Sequence, residues 1–281
     1  NPLGSNMNQV KNMMLVTVWV FIGIEGAAVY SQRARKRKDV GRATVIGFLA
    51  VLALLLAVNF LSYGLMEQAK LAGLPDPSMA GLMEQQVGAW GAGFISIGLI
   101  ISLLGALLSW VLLSVEILRL PATEGVLPKA LARENAAGSP ANALWLTNGC
   151  VQVMLLWTLF NASTYLDLLY LATSLILLPY LWSALYQVIL AAKGAAGFGA
   201  KQLLAGSIAT AYACWLVYAG GLSYVLIAAL FYLVGALAYT WARKQHGLAW
   251  GTTRDYLAGA VVLALSVWAL IGLVTGSLVV L

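Results

Sequence analysis

Long apolar stretches, almost all uncharged, alternate along this chain with short polar segments. Runs of about 20 residues, enough for a helix to cross the hydrocarbon core of a bilayer, fall at 12–31, 43–66, 87–115, 142–160, 168–192, 202–220, 222–242 and 256–280. They predict eight membrane-spanning helices. The stretch 202–242 holds 41 residues without a charge, too many for one helix, and Ala219-Gly220-Gly221-Leu222-Ser223 predicts the tight turn that divides it.

The first run differs from the others. Val18-Trp19-Val20-Phe21-Ile22-Gly23-Ile24-Glu25-Gly26-Ala27-Ala28 sets one carboxylate in an apolar segment. A carboxylate at membrane depth marks function by default. Glycines beside it weaken the helix, so a broken helix is expected there, with carbonyls and amides released towards a ligand. A simple anchor helix needs neither feature.

Composition removes the soluble alternatives. The chain has 281 residues, 62% of them hydrophobic and 9% charged, where a soluble globule carries about 25% charged residues. With the basic cluster Arg33-Ala34-Arg35-Lys36-Arg37-Lys38 assigned inside, Arg42, Arg119, Lys129, Arg133, Lys193, Lys201, Arg243, Lys244 and Arg254 follow it. That is 14 of 16 cations, with Lys11 and Lys70 outside. The positive-inside rule therefore makes residues 32–42 cytoplasmic. The net charge of +6 reads as an insertion signal rather than a nucleic-acid surface, and the basic loop faces the anionic headgroups of the bilayer. In this orientation the first span enters from outside without a signal peptide before it, which predicts an odd number of further helices upstream. Residues 1–10 then read as an external loop or a tag remnant.

Several separated segments carry a resemblance. Val16-Thr17-Val18-Trp19-Val20-Phe21-Ile22-Gly23-Ile24-Glu25-Gly26-Ala27, then Ser31-Gln32-Arg33-Ala34-Arg35-Lys36-Arg37-Lys38-Asp39-Val40-Gly41-Arg42-Ala43-Thr44, then Leu127-Pro128-Lys129-Ala130-Leu131-Ala132-Arg133-Glu134-Asn135 with Gly138-Ser139-Pro140, follow the order and spacing of one family. They resemble the basic amino acid/polyamine antiporters of the amino acid-polyamine-organocation superfamily, the bacterial arginine/ornithine antiporters among them. The resemblance implies an all-α polytopic membrane protein of the broken-helix, inverted-repeat (LeuT-like) type, with this chain covering about helix six onward. Residues 11–193 would form the second five-helix repeat and 194–281 three accessory helices. The N-terminal helices of the same transporter would complete it, and with five of them missing the count agrees with the charge topology. The implied activity is exchange of a cationic amino acid, arginine, for ornithine by alternating access in the bacterial inner membrane. Lysine or polyamine exchange, proton-coupled uptake and a non-transporting scaffold stay open, as does a homodimer. No cofactor, metal or enzymatic activity is expected.

The resemblance also suggests site residues. Trp19 matches the substrate-stacking tryptophan, against the plainer reading of an interfacial belt residue; its face can attract a guanidinium or ammonium. Ile22 and Gly23 lie in the break, where the carbonyls of Trp19 and Ile22 would accept from a substrate amino group. Trp110 matches a position near the pocket, with ordinary core as the alternative. Glu25 is either a gate or a structural carboxylate bonded to the break. Pro179 is expected to interrupt and kink its helix, leaving Tyr180 as a gating tyrosine and Thr173, with Ser174, as a polar contact. Glu116 is expected to pair with Arg119, Asp167 to sit at a solvated helix start, Cys150 and Cys214 to be small buried side chains, and His246 to be solvent-exposed. Gly88, Gly91, Gly93 and Gly98 are expected to allow close helix packing.

Overall fold

The computed structural model describes residues 4–31, 34–161, 165–249 and 251–278. Among them are eleven α-helices: α1 (Asn6–Phe21), α2 (Gly26–Val29), α3 (Arg37–Leu65), α4 (Gln68–Ala72), α5 (Ser78–Val87), α6 (Ala89–Thr123), α7 (Ala141–Asn161), α8 (Tyr165–Ala192), α9 (Ala200–Gly220), α10 (Leu222–Gln245) and α11 (Thr253–Val274). Seven of these, α3 and α6–α11, are long and apolar enough to cross a membrane. The eighth expected span is the broken pair α1 and α2. This is an all-α polytopic protein.

Boundaries depart from the sequence reading where local capping decides. Helix α1 begins at Asn6, inside the segment expected to be loop, because the Ser5 hydroxyl accepts from the Asn8 amide at 3.3 Å and so satisfies an orphan donor of the first turn. The linker between the second and third spans holds the short helices α4 and α5. The turn after α9 is where expected: Gly221 has φ +90° and donates its amide to the Tyr218 carbonyl, a conformation that glycine adopts without a Cβ penalty.

The chain divides into two compact units. Unit 1 comprises Asn1–Ile22, Pro121–Arg133 and Gly149–Leu281; unit 2 comprises Gly23–Leu120 and Glu134–Asn148. The division falls in the break of the first span.

In unit 1, α8 and α9 form the most extensive pairing, α10 pairs with α11, and α1 lies against α8 and α9. One core joins Leu15 and Val18 of α1, Leu177 of α8 and Leu216 of α9. A second joins Leu226 and Ile227 of α10, Ala269 of α11 and Leu278. Small residues bring these helices close. A methyl on Gly206 would lie 3.1 Å from Val188 Cγ2, and one on Gly220 3.3 Å from Leu177 Cδ1. Ser266, fully buried on α11, donates its hydroxyl to the Ala229 carbonyl of α10 at 3.0 Å or to its own helix at Val262.

Helix α8 runs unbroken through Pro179, so the expected interruption does not occur. The proline lacks the N–H that would bond the Leu175 carbonyl four residues earlier. That carbonyl instead accepts from the Tyr232 hydroxyl of α10.

In unit 2, α2 packs on α3, and the Ser62 hydroxyl of α3 bonds its own Val58 carbonyl at 2.7 Å while facing Met79 Sδ of α5. Of the four glycines expected to allow close packing there, Gly91 does so, between α5 and α6. Gly88 ends α5 at φ +87°, Gly91 is crowded by Val87 and the Met83 carbonyl, and Gly93 and Gly98 have open space where a side chain would stand. Cys150 on α7 and Cys214 on α9 are exposed rather than buried, because they lie on helix faces that this chain leaves uncovered.

Candidate functional site

The first span breaks over four residues. α1 ends at Phe21, Ile22 to Glu25 form turns, and α2 resumes at Gly26. Gly23 has φ +107°, a conformation that costs a residue bearing Cβ roughly 1–2 kcal/mol and explains why glycine stands there.

On the unit 1 side, the Ile22 amide donates to the Val18 carbonyl at 3.2 Å and to the Trp19 carbonyl at 3.1 Å. The Trp19 carbonyl is therefore engaged by the helix end rather than released, which corrects the expectation for it. Among the described residues none donates to the Ile22 carbonyl. Ile22 packs with Tyr180 against the core of Leu15, Val18, Leu177 and Leu216. Trp19 is half-buried, and its indole Nε1–H donates to the Tyr165 hydroxyl at the start of α8, 3.1 Å away. This fixes the indole at its polar edge and leaves its face available for stacking. Thr173 is fully buried, and its hydroxyl has no partner among the described residues; Ser174 bonds back to Tyr170 at 2.6 Å, as polar side chains in apolar helices do.

On the unit 2 side, Glu25 turns back on the break: its Oε2 accepts from the Gly23 amide at 2.9 Å. The carboxylate thus takes an amide that the break removes from the helical ladder. A methyl on Gly23 would stand 3.3 Å from Trp110 Cζ2, so the indole of α6 lies against the backbone at the break. Further down α6, buried Glu116 is held by Arg119 in a two-point pair, Nε to Oε2 at 3.0 Å and Nη2 to Oε1 at 2.7 Å, with Glu134 at 3.8 Å. That pair was expected.

Within unit 1 the structure thus gathers Trp19, Ile22, Tyr180 and Thr173 on α1 and α8; within unit 2 it gathers Gly23, Glu25 and Trp110. Tyr165 was missed, since a partner 146 residues away leaves no local signal. His246, expected in solvent, is half-buried, and a methyl on Gly125 would lie 3.4 Å from its Cγ.

Helices of this length, a broken first span and a carboxylate folded into the break are the features of the broken-helix membrane fold. The amino acid permease family model matches residues 1–237, and the chain belongs to that family as a multi-pass inner-membrane protein. It is 53% identical over 290 residues to an arginine/ornithine antiporter of Pseudomonas aeruginosa, covering 99% of this chain and 60% of that protein. An L-lysine transport protein of Corynebacterium glutamicum is 43% identical, with 98% and 59% covered. A putative arginine/ornithine antiporter of Escherichia coli is 42% identical, with 85% and 50% covered. The chain thus spans about 60% or less of the length of these relatives. No solved structure matches it.

Proposed function

We propose that this chain is the C-terminal portion of a secondary antiporter that exchanges arginine for ornithine by alternating access, and is not an enzyme. The observation that carries this reading is the 53% identity to an arginine/ornithine antiporter along 99% of the chain. In this reading α1–α8 supply the second repeat, α9–α11 are accessory helices, and the N-terminal helices of the same protein, with a homodimer as the assembly, complete it. The Trp19 face stacks on the guanidinium or ammonium of the substrate, contributing on the order of 1–2 kcal/mol when desolvated. The open Ile22 carbonyl accepts from the α-amino group, and Thr173 offers its unpaired hydroxyl. Trp110 covers the Gly23 backbone, and Tyr180 closes beside Ile22. Glu25 is the gate: substrate that displaces its bond to the Gly23 amide changes the backbone of the break itself, which couples occupancy to closure.

The full-length protein in liposomes, loaded with ornithine and offered labelled arginine, tests the reading. Rapid one-for-one exchange is expected. Uptake into empty vesicles driven by a proton gradient would overturn it, and faster exchange with lysine would favour a second reading, supported by the lysine-transporting relative at 43% identity.

A further inference from the structure

Near the outer ends of four unit 1 helices lies a cavity of about 270 Å³, lined by Lys11 and Leu15 of α1, Tyr170 of α8, Ala219 and Gly220 of α9 and Tyr224 of α10. By the charge topology these ends face outward. The volume is just below the range of about 300–1,000 Å³ typical of small-molecule sites.

Its chemistry is one-sided. The half-buried Lys11 places Nζ 4.9 Å from the Tyr218 ring centroid, and among the described residues no carboxylate pairs with it. A cation on an apolar helix ordinarily finds an anion. The ring face satisfies charge but leaves the three N–H donors of the ammonium unused. The Tyr170 and Tyr224 rings stand 6.2 Å apart at 55° and bring two phenols, each a hydrogen-bond donor, to the same wall. Asp167 lies one turn before Tyr170 on the same face of α8, so a carboxylate belongs to this end of the helix. An anionic oxygen group with a positive group beside it fits this arrangement.

We propose that this cavity is an outer recruitment site that holds the α-carboxylate of an amino acid on Lys11, with Tyr170 and Tyr224 as additional donors, before the substrate reaches the break. The proposal rests on the exchange reading above. Its role is confined to the outer face, because the inner opening does not pass this end of the helices.

The test uses the full-length protein in oriented liposomes. Parent exchange is measured first, so that its absence condemns the exchange reading and not this site. Lys11→Gln is expected to raise the external half-saturation concentration for arginine about fivefold, with the internal value for ornithine and the maximal rate unchanged. Lys11→Arg should restore it, and decarboxylated arginine, which lacks the carboxylate, should enter parent and Lys11→Gln alike. Tyr170→Phe should give a smaller external shift in the same direction. An unchanged external value in a stable Lys11→Gln protein would overturn the site. So would equal shifts on both faces, or a shift present only in vesicles containing anionic lipid.

Discussion

In unit 1, α9, α10 and α11 bury 22%, 22% and 17% of their most apolar windows within the chain, whereas α3 and α6, which supply most of unit 2, bury none. Apolarity does not account for the difference, since α3 is more apolar than α9. Lipid tails are as apolar as leucine, so helices gain little by hiding hydrophobic side chains from them; close approach and polar bonds decide instead. Unit 1 has both, in Gly206 and Gly220 pressed against neighbours and in the Ser266 and Tyr232 hydroxyls crossing between helices. Unit 2 is crowded at its edge, where Gly23 meets Trp110.

That crowded point carries the largest expected effect. Gly23→Ala adds a methyl at φ +107°, 3.3 Å from Trp110 Cζ2, and combines about 1–2 kcal/mol of backbone strain with overpacking. Exchange by the reconstituted full-length protein should be abolished while membrane insertion is retained. Normal exchange would show that the break does not need this backbone.

Glu25→Gln comes next. The amide oxygen can still accept from the Gly23 N–H, so folding should be near normal while exchange rate falls steeply or its pH profile changes. Poor insertion and low thermal stability would instead assign Glu25 a structural role, and unchanged exchange at every pH would sink the gate. On the other side of the break, Trp19→Leu should weaken arginine binding by about 1–2 kcal/mol, roughly ten- to thirtyfold, as read by calorimetry. Tyr165→Phe, which removes only the hydroxyl that holds the indole, should lose less. Equal binding by Trp19→Leu and parent would remove Trp19 from the site.

Two further effects, on stability rather than exchange, address packing directly. Gly206→Ala should lower stability by about 1–3 kcal/mol, because its methyl meets Val188, while Gly98→Ala should change it by less than about 0.5 kcal/mol. A thermal shift as large at Gly98 as at Gly206 would mean that α6 packs on protein in the complete transporter. Tyr232→Phe should cost about 1 kcal/mol by orphaning the Leu175 carbonyl. In a Pro179→Ala background that cost should shrink, since alanine restores the missing N–H; undiminished cost would break the link between the two residues.

Much of this was legible in the sequence. Apolar run length fixes the spans, and the glycines around Glu25 reveal the break, because both are properties of contiguous residues. The Glu116–Arg119 pair is legible for the same reason: residues three apart share a helix face. What could not be read depends on distant partners. Trp19 to Tyr165 and Leu175 to Tyr232 are tertiary pairings, and nothing near Pro179 in the chain announces that its helix will continue. The exposed cysteines and open glycines show the converse, since residue type states what packing is permitted and not whether a neighbour arrives. The start of α1 at Asn6 was hidden by a segment that reads as a loop although Ser5 caps it.

The repair at Pro179 has a consequence for how this protein can vary. One rung of the α8 ladder is supplied by a side chain 57 positions away, so the regularity of that helix is stored in two places in the sequence. Neither site is free to drift alone. A descendant that lost the hydroxyl at position 232 would be expected to lose the proline at 179 as well, or to recruit another donor to the same carbonyl, and the two positions should be inherited as a pair.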